Sequence, residues 1–343
     1  MSKQPVQVIL SDSNRTPIIQ IVVWFCLVTS FLALVTHAGI KLFVFRAVKA
    51  ESGFLLVSLV FGIAQSTAVL IQCGSGLGKP AAALSSAQVQ SSLKAEYAAT
   101  TLLFLSLGFS KLAIVAFLYS LDPPRLRRKL NYGVGVLVCS WMLCASLVAI
   151  FQCTLPRPWD RTLKQCLDRS AWWSAIAGLN IVTELAIIAI ELEIMSKLRI
   201  ALKRKILMMS LFACRVLVPI SAAVQLAFFH QEARNPATKE DLTLGYWRSA
   251  LCNEIMQCIS IITVCLPYTK IFMEGFESGL TRVDDGRRRE SRALKEYRRL
   301  GHQLLGLSRS SNATHLSPDD AITASKKWYA AVRPAGPSQS HSS

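Results

Sequence analysis

Residues 106–119 read SLGFSKLAIVAFLY, an apolar run with a single cation, Lys111, near its middle. The run continues on both sides to fill residues 97–120. A bilayer core of about 30 Å needs roughly 20 mostly apolar residues of helix at about 1.5 Å rise each. The block therefore reads as a membrane-spanning helix. Lys111 lies about two-thirds of the way along it, too deep to be a boundary residue. An ionisable group at that depth costs about 2.5–3.5 kcal/mol on insertion scales, so it needs a partner or a cavity.

Six further blocks meet the same length test: 18–43, 53–73, 132–152, 172–196, 206–229 and 246–272. The composition agrees, with 52% hydrophobic and 17% charged residues, against about 25% charged in ordinary soluble domains. Mean hydropathy is +0.38. The first block exceeds a signal-peptide apolar core and follows a largely polar stretch, so it reads as a retained helix. No period of 20–50 residues marks an internal repeat. The expected fold is an all-α membrane protein, a seven-transmembrane-helix bundle.

Orientation follows from Lys and Arg. The loops after the first, third and fifth blocks carry Arg46 and Lys49, then Arg125, Arg127, Arg128 and Lys129, then Lys197, Arg199, Lys203, Arg204 and Lys205. Arg282, Arg287, Arg288, Arg289 and Arg292 follow the last block. This bias places the N-terminus outside and the C-terminus in the cytosol. The net charge of +17 belongs largely to these segments. Its expected partner is anionic inner-leaflet lipid of the bilayer, not nucleic acid.

Seven of the ten cysteines fall within the blocks and read as small hydrophobes without metal-ligand spacing. Cys153 and Cys166 share the outer loop between the fourth and fifth blocks, where a disulfide is expected. Cys73, at the outer end of the second block, is a rival partner. Asn14-Arg15-Thr16 fits a glycosylation sequon, although Pro17 directly after it works against occupancy.

Three more ionisable residues lie deep in the blocks: Glu184, Arg215 and Glu254. Counting helical rise from the outer surface, Glu254 lies at about 12 Å, Glu184 at about 18 Å, and Lys111 and Arg215 at about 21 Å. Two cations and two carboxylates in one slab suggest mutual neutralisation, with Glu184 nearest in depth to Lys111 and Arg215 competing for it. Asn180, Glu184 and Glu191 share one helical face, and Asn253 and Gln257 flank Glu254. These residues suit a packing network, a ligand site, or a proton or ion path, and a packing network can also line a cavity.

The order and spacing of several motifs resemble the fungal rhodopsin-like integral membrane domain, a seven-helix family that includes receptor-like pathogenicity proteins and membrane proteins of mycotoxin clusters. The resemblance runs over residues 18–285. It rests on Gly76-Leu77-Gly78-Lys79, on Lys111 with the run to Tyr119, and on Phe151-Gln152-Cys153 followed by Trp159-Asp160 and Cys166. Asn180, Lys203-Arg204-Lys205, Trp247 with Glu254, Cys265-Leu266-Pro267 and Phe276-Glu277-Ser278-Gly279 continue it. Pro80 stands where the family commonly has histidine, and Glu184 where it has aspartate. By resemblance a retinal lysine belongs in the last helix, where only Lys270 stands, at the cytosolic end. No retinal or other cofactor is expected, and the scattered histidines offer no metal site.

The division expected is an extracellular N-terminus over 1–17, the membrane domain over 18–285, and a basic, largely disordered cytosolic tail over 286–343. Within the tail, Ala293, Tyr297, Leu300, Leu304 and Leu307 recur at helical spacing among basic residues, as on a helix lying on a membrane surface. The resemblance implies a receptor-like sensor of a small molecule, with a G protein as partner. The alternative is a membrane-bound enzyme, such as a cyclase, or an accessory protein working beside biosynthetic enzymes of secondary metabolism. A transporter stands third. The expected location is integral to the plasma membrane or an endomembrane, with no catalytic residue assigned.

Overall fold

The computed structural model describes residues 15–45, 50–120, 125–154, 156–160, 166–196, 206, 209, 210, 213–234 and 245–267. Asn14, the loop at 197–205 and the tail helix expected at 293–307 lie outside these residues. The described chain is helical: α1 Thr16–Ile40, α2 Ala50–Gly74, α3 Ser86–Ser120, α4 Arg125–Ile150, α5 Arg169–Ser196, α6 Leu217–Arg234 and α7 Trp247–Pro267. All but α6 are long and apolar enough to cross a membrane by length and composition. The architecture is that of a helical membrane bundle.

Local chemistry sets the helix ends. Pro17 opens α1, where its missing N–H has no helical partner to lose. Ser85 and Gln88 form a capping box before α3: Ser85 N donates to Gln88 Oε1 at 2.9 Å, and Gln88 N donates to Ser85 Oγ. That cap starts α3 eleven residues before the apolar block expected at 97–120, so the helix extends beyond the span needed for a bilayer. Ser92 and Glu96 in this extension are buried. The sixth block is interrupted. Residues 206, 209, 210 and 213 are helical, Pro219 cannot bond back to the carbonyl of residue 215, and a 3₁₀ turn over Cys214–Val216 precedes α6 at Leu217. Its far end runs past the expected 229 to Arg234, held by Ser174 Oγ to His230 Nε2 at 3.1 Å and by Ser249 Oγ donating to Glu232.

α3 and α7 are far more enclosed than α1. Ile21, Phe25, Phe31 and Leu32 stand exposed along α1, as a lipid-facing surface requires. Small polar residues tie the inner helices together. Ser58 and Ser106 each donate to the other's carbonyl oxygen, and Ser110 Oγ lies 2.6 Å from Ser260 Oγ. Trp141, Trp173, Phe104 and Phe229 dominate the core shared by α3 to α7.

The Gly74–Gly78 stretch is a turn that docks on the start of α1. Leu77 is fully buried, Thr16 Oγ1 donates to its carbonyl at 2.7 Å, and Arg15 N donates to Gly78 O at 2.9 Å. Gly78 has φ +84°, and a Cβ there would meet Thr16 N at 2.9 Å. Gly78→Ala should therefore cost about 1–3 kcal/mol in thermal melting. Gly74→Ala, where nothing lies within 4 Å, serves as control. Equal melting of the two variants would dismiss the account.

Cys153 and Cys166 form a disulfide at the end of the bundle where α4 finishes and α5 begins. Cys73 is a buried free thiol, so the rival pairing does not occur. The loop lies over the start of α3: Gln90 Nε2 donates to the buried Asp160, and Lys94 Nζ sits 5.0 Å over the Trp159 ring.

Candidate functional site

Helical spacing on α5 brings Asn180, Glu184 and Glu191 onto one face, and all three are buried. Glu184 lies between two cations from different elements. Lys111 Nζ of α3 is 3.5 Å from its Oε1, and Arg215 Nε donates to its Oε2 at 3.0 Å. Lys111 is fully buried and otherwise satisfied, donating to Asn180 O at 2.9 Å and Thr183 Oγ1 at 2.6 Å. Its ammonium also lies 4.6 Å over the Trp141 ring. Arg215 Nη1 and Nη2 and both carboxylate oxygens of Glu191 have no hydrogen-bond partner among the described residues.

Glu254 does not join this cluster. Gln65 Nε2 and Ser66 Oγ of α2 donate to its two oxygens, at 2.8 and 2.9 Å. The expectation of two cations facing two carboxylates is therefore corrected. Depth along a helix does not fix which neighbour its face meets, and α7 turns Glu254 toward α2. Gln257, one turn on, packs against Gly62 of the same helix. Glu254 and Gln257 line a small cavity with Cys26 and Cys258, among α1, α2 and α7.

Asn180 and Asn253 face a different space. A cavity with about 310 Å³ of empty space, including what opens beyond it, lies among α3, α4, α5, α6 and α7. Its walls include Phe104, Leu107, Trp141, Trp173, Ala222 and Met256. As it stands the space has room for roughly one water. Three buried amides line it: Asn180, Gln225 and Asn253. Asn180 Oδ1, Gln225 Nε2 and Asn253 Oδ1 each have no partner among the described residues. An unsatisfied buried polar group costs about 1–3 kcal/mol, so an occupant that reaches these amides, a water or a larger molecule, is favoured.

Toward the disulfide end, an ion pair lies beyond the cavity. Arg169 Nη2, at the start of α5, donates to Glu96 Oε1 of α3 at 2.9 Å. The same guanidinium lies 5.2 Å from the rings of both Phe229 and Tyr246. Glu96 is two turns from Leu103, and Phe229 one turn from Gln225, both lining residues. The pair and its two rings thus bridge helices that wall the cavity.

The residues singled out from sequence accordingly separate into three places: Lys111, Glu184 and Arg215 in one cluster, Glu254 and Gln257 in another, and Asn180 and Asn253 at the aromatic cavity. Asn180 joins two of them, since its carbonyl holds Lys111 while its amide lines the cavity. Sequence reading missed Gln225, the tryptophan walls and the Arg169–Glu96 pair as parts of a site. A signal for Gln225 existed, as an amide within an otherwise apolar stretch of α6; the tryptophans carried none, because an aromatic in a membrane helix suits lipid and core alike.

No curated protein matches the chain significantly. A family model described as the fungal rhodopsin domain matches residues 36–275. That stretch covers well over half of the chain and contains every helix that walls the aromatic cavity, and the protein belongs to the fungal rhodopsin domain family.

Proposed function

We propose that this multi-pass membrane protein is receptor-like, binding a small molecule in the aromatic cavity and passing the resulting change in helix packing to the opposite face of the bundle. The cavity, lined by three amides that each keep one atom without a partner among the described residues, carries this reading. Its tightness supports sensing rather than storage. An occupant larger than a water must part the helices, so it binds a wider state more strongly than the closed one and shifts the balance between them. In this reading the disulfide end with Arg169 and Glu96 faces outward, the basic loops face the cytosol and its anionic lipid, and a G protein is the expected partner.

The carboxylates argue for binding over acid–base catalysis. Both oxygens of Glu254 accept from Gln65 and Ser66, and Glu184 is engaged by Lys111 and Arg215. Neither is among the residues lining the aromatic cavity. A cyclase would need such a proton donor against its substrate.

The test is a thermal-shift screen of purified protein against a metabolite library. Hits should stabilise the wild type and fail on Ala222→Phe, which fills the cavity. Cells lacking the gene should lose their response to the same hits. Equal stabilisation of the filled variant, or an intact response in the deletion strain, would defeat the reading.

A further inference from the structure

We infer that the aromatic cavity takes an uncharged, mostly apolar ring compound whose hydrogen-bond acceptor, a carbonyl or ether-like oxygen, is held by the Gln225 amide nitrogen. This rests on the small-molecule reading given above and names the class of molecule.

Gln225 sets the polarity of the contact. Trp173 Nε1 donates to Gln225 Oε1 at 3.2 Å. An indole nitrogen only donates, so the amide must turn its oxygen to Trp173 and its nitrogen the other way. Gln225 lines the cavity, and that nitrogen is buried without a partner among the described residues. The site therefore offers a fixed donor and selects an acceptor. Asn180 and Asn253 are less constrained. Asn253 Nδ2 reaches Tyr246 Oη only at 3.5 Å, and Asn180 Nδ2 meets Met256 Sδ at 3.7 Å. Either amide can present donor or acceptor to a second polar group on the ligand.

Charge is excluded from both sides. Rings such as Trp141, Trp173 and Phe104 could hold a cation by their faces, but the Lys111 ammonium already lies over Trp141 and would repel one. An anion finds no cation there either. Lys111 is directed to Asn180 O, Thr183 and Glu184, and Arg215 to Glu184, and neither lines the cavity. A charged ligand would enter a buried space without a counter-ion. A flat ring suits the aromatic walls, since offset and edge contacts between rings need little thickness.

Four probes of one shape separate these demands: 2-acetylnaphthalene carries an acceptor, naphthalene none, 2-naphthoate a negative charge, and 2-(aminomethyl)naphthalene a positive one. Binding is read as quenching of tryptophan emission in full-length protein in lipid nanodiscs, and the Ala222→Phe signal is subtracted as partition into lipid. The ketone should bind at least tenfold tighter than naphthalene, and the two charged probes should give no signal above that background. Gln225→Leu should bring the ketone down to the level of naphthalene. Should that variant not fold, the ketone-to-naphthalene ratio in the wild type decides alone. A ratio near one, or tighter binding of either charged probe, overturns the inference. If no probe distinguishes wild type from Ala222→Phe, the ligand class is wrong, yet the receptor reading survives as long as library hits still need an open Ala222. If those hits ignore Ala222 as well, both fall.

Discussion

Glu184→Gln should be the most damaging single change in the bundle, lowering stability by about 3–5 kcal/mol, the range for breaking a buried ion pair from one side. Glutamine can accept a hydrogen bond from Arg215 or Lys111, but it neutralises neither, and both cations are buried to 1% exposure or less. Lys111→Met should cost less. Arg215 keeps Glu184, and the two groups that Lys111 leaves behind satisfy each other, because Thr183 Oγ1 already donates to Asn180 O at 2.9 Å. If Glu184 served Lys111 alone, as nearness in depth by itself would have it, Glu184→Gln would rescue Lys111→Met. The geometry inverts that relation, since Glu184 serves two cations. Lys111→Met should instead partly rescue Glu184→Gln by removing one of them. Thermal melting of the two single variants and the double variant completes the cycle. A Lys111→Met cost equal to or above that of Glu184→Gln would show that the carboxylate is not shared.

The contrast shows what a membrane sequence discloses. Length and hydropathy are properties of one helix, so the spans, the depth of Lys111 and the polar face of α5 are readable from the chain alone. The neighbour met by a face depends on the rotation of several helices together, and no single periodicity encodes that. Glu254 and Glu184 look alike in sequence, yet one meets neutral donors on α2 and the other two cations. Aromatic residues are ambiguous for a related reason. Trp24 is 56% exposed on the lipid-facing side of α1, and Trp141 is 3% exposed beside the cavity, but both sit in equally apolar runs. Charges near the ends of the spans mislead in the opposite direction. Arg169 reads as one more loop cation, yet it bonds to Glu96 and lies against two rings beside the cavity. The capping box at Ser85 and the helix break before Pro219 were legible in principle, because each depends on residues within one turn.

Cys166→Ser should lower stability by about 3 kcal/mol in the chain-entropy model for a loop of this length, and it should also weaken ligand-induced stabilisation. The first effect follows from the crosslink between Cys153 and Cys166. The second follows from what the loop holds. Leu167 N donates to Gln152 O at 2.9 Å, which fixes the approach to α5, and Arg169 stands three residues beyond Cys166. Asp160 and Trp159 fasten the same loop to Gln90 and Lys94 of α3, the helix that supplies Glu96. Releasing the bridge therefore loosens both partners of the Arg169–Glu96 pair while leaving the walls of the cavity in place. Ligand hits from the screen should still bind, with a smaller melting shift than in the wild type. Cys153→Ser and the double variant should match Cys166→Ser, and a reducing agent should lower the wild-type melting temperature to theirs while leaving all three variants unmoved. If Cys153→Ser proved much milder than Cys166→Ser, Cys166 would have another partner, and Cys73 would again be the thiol to test.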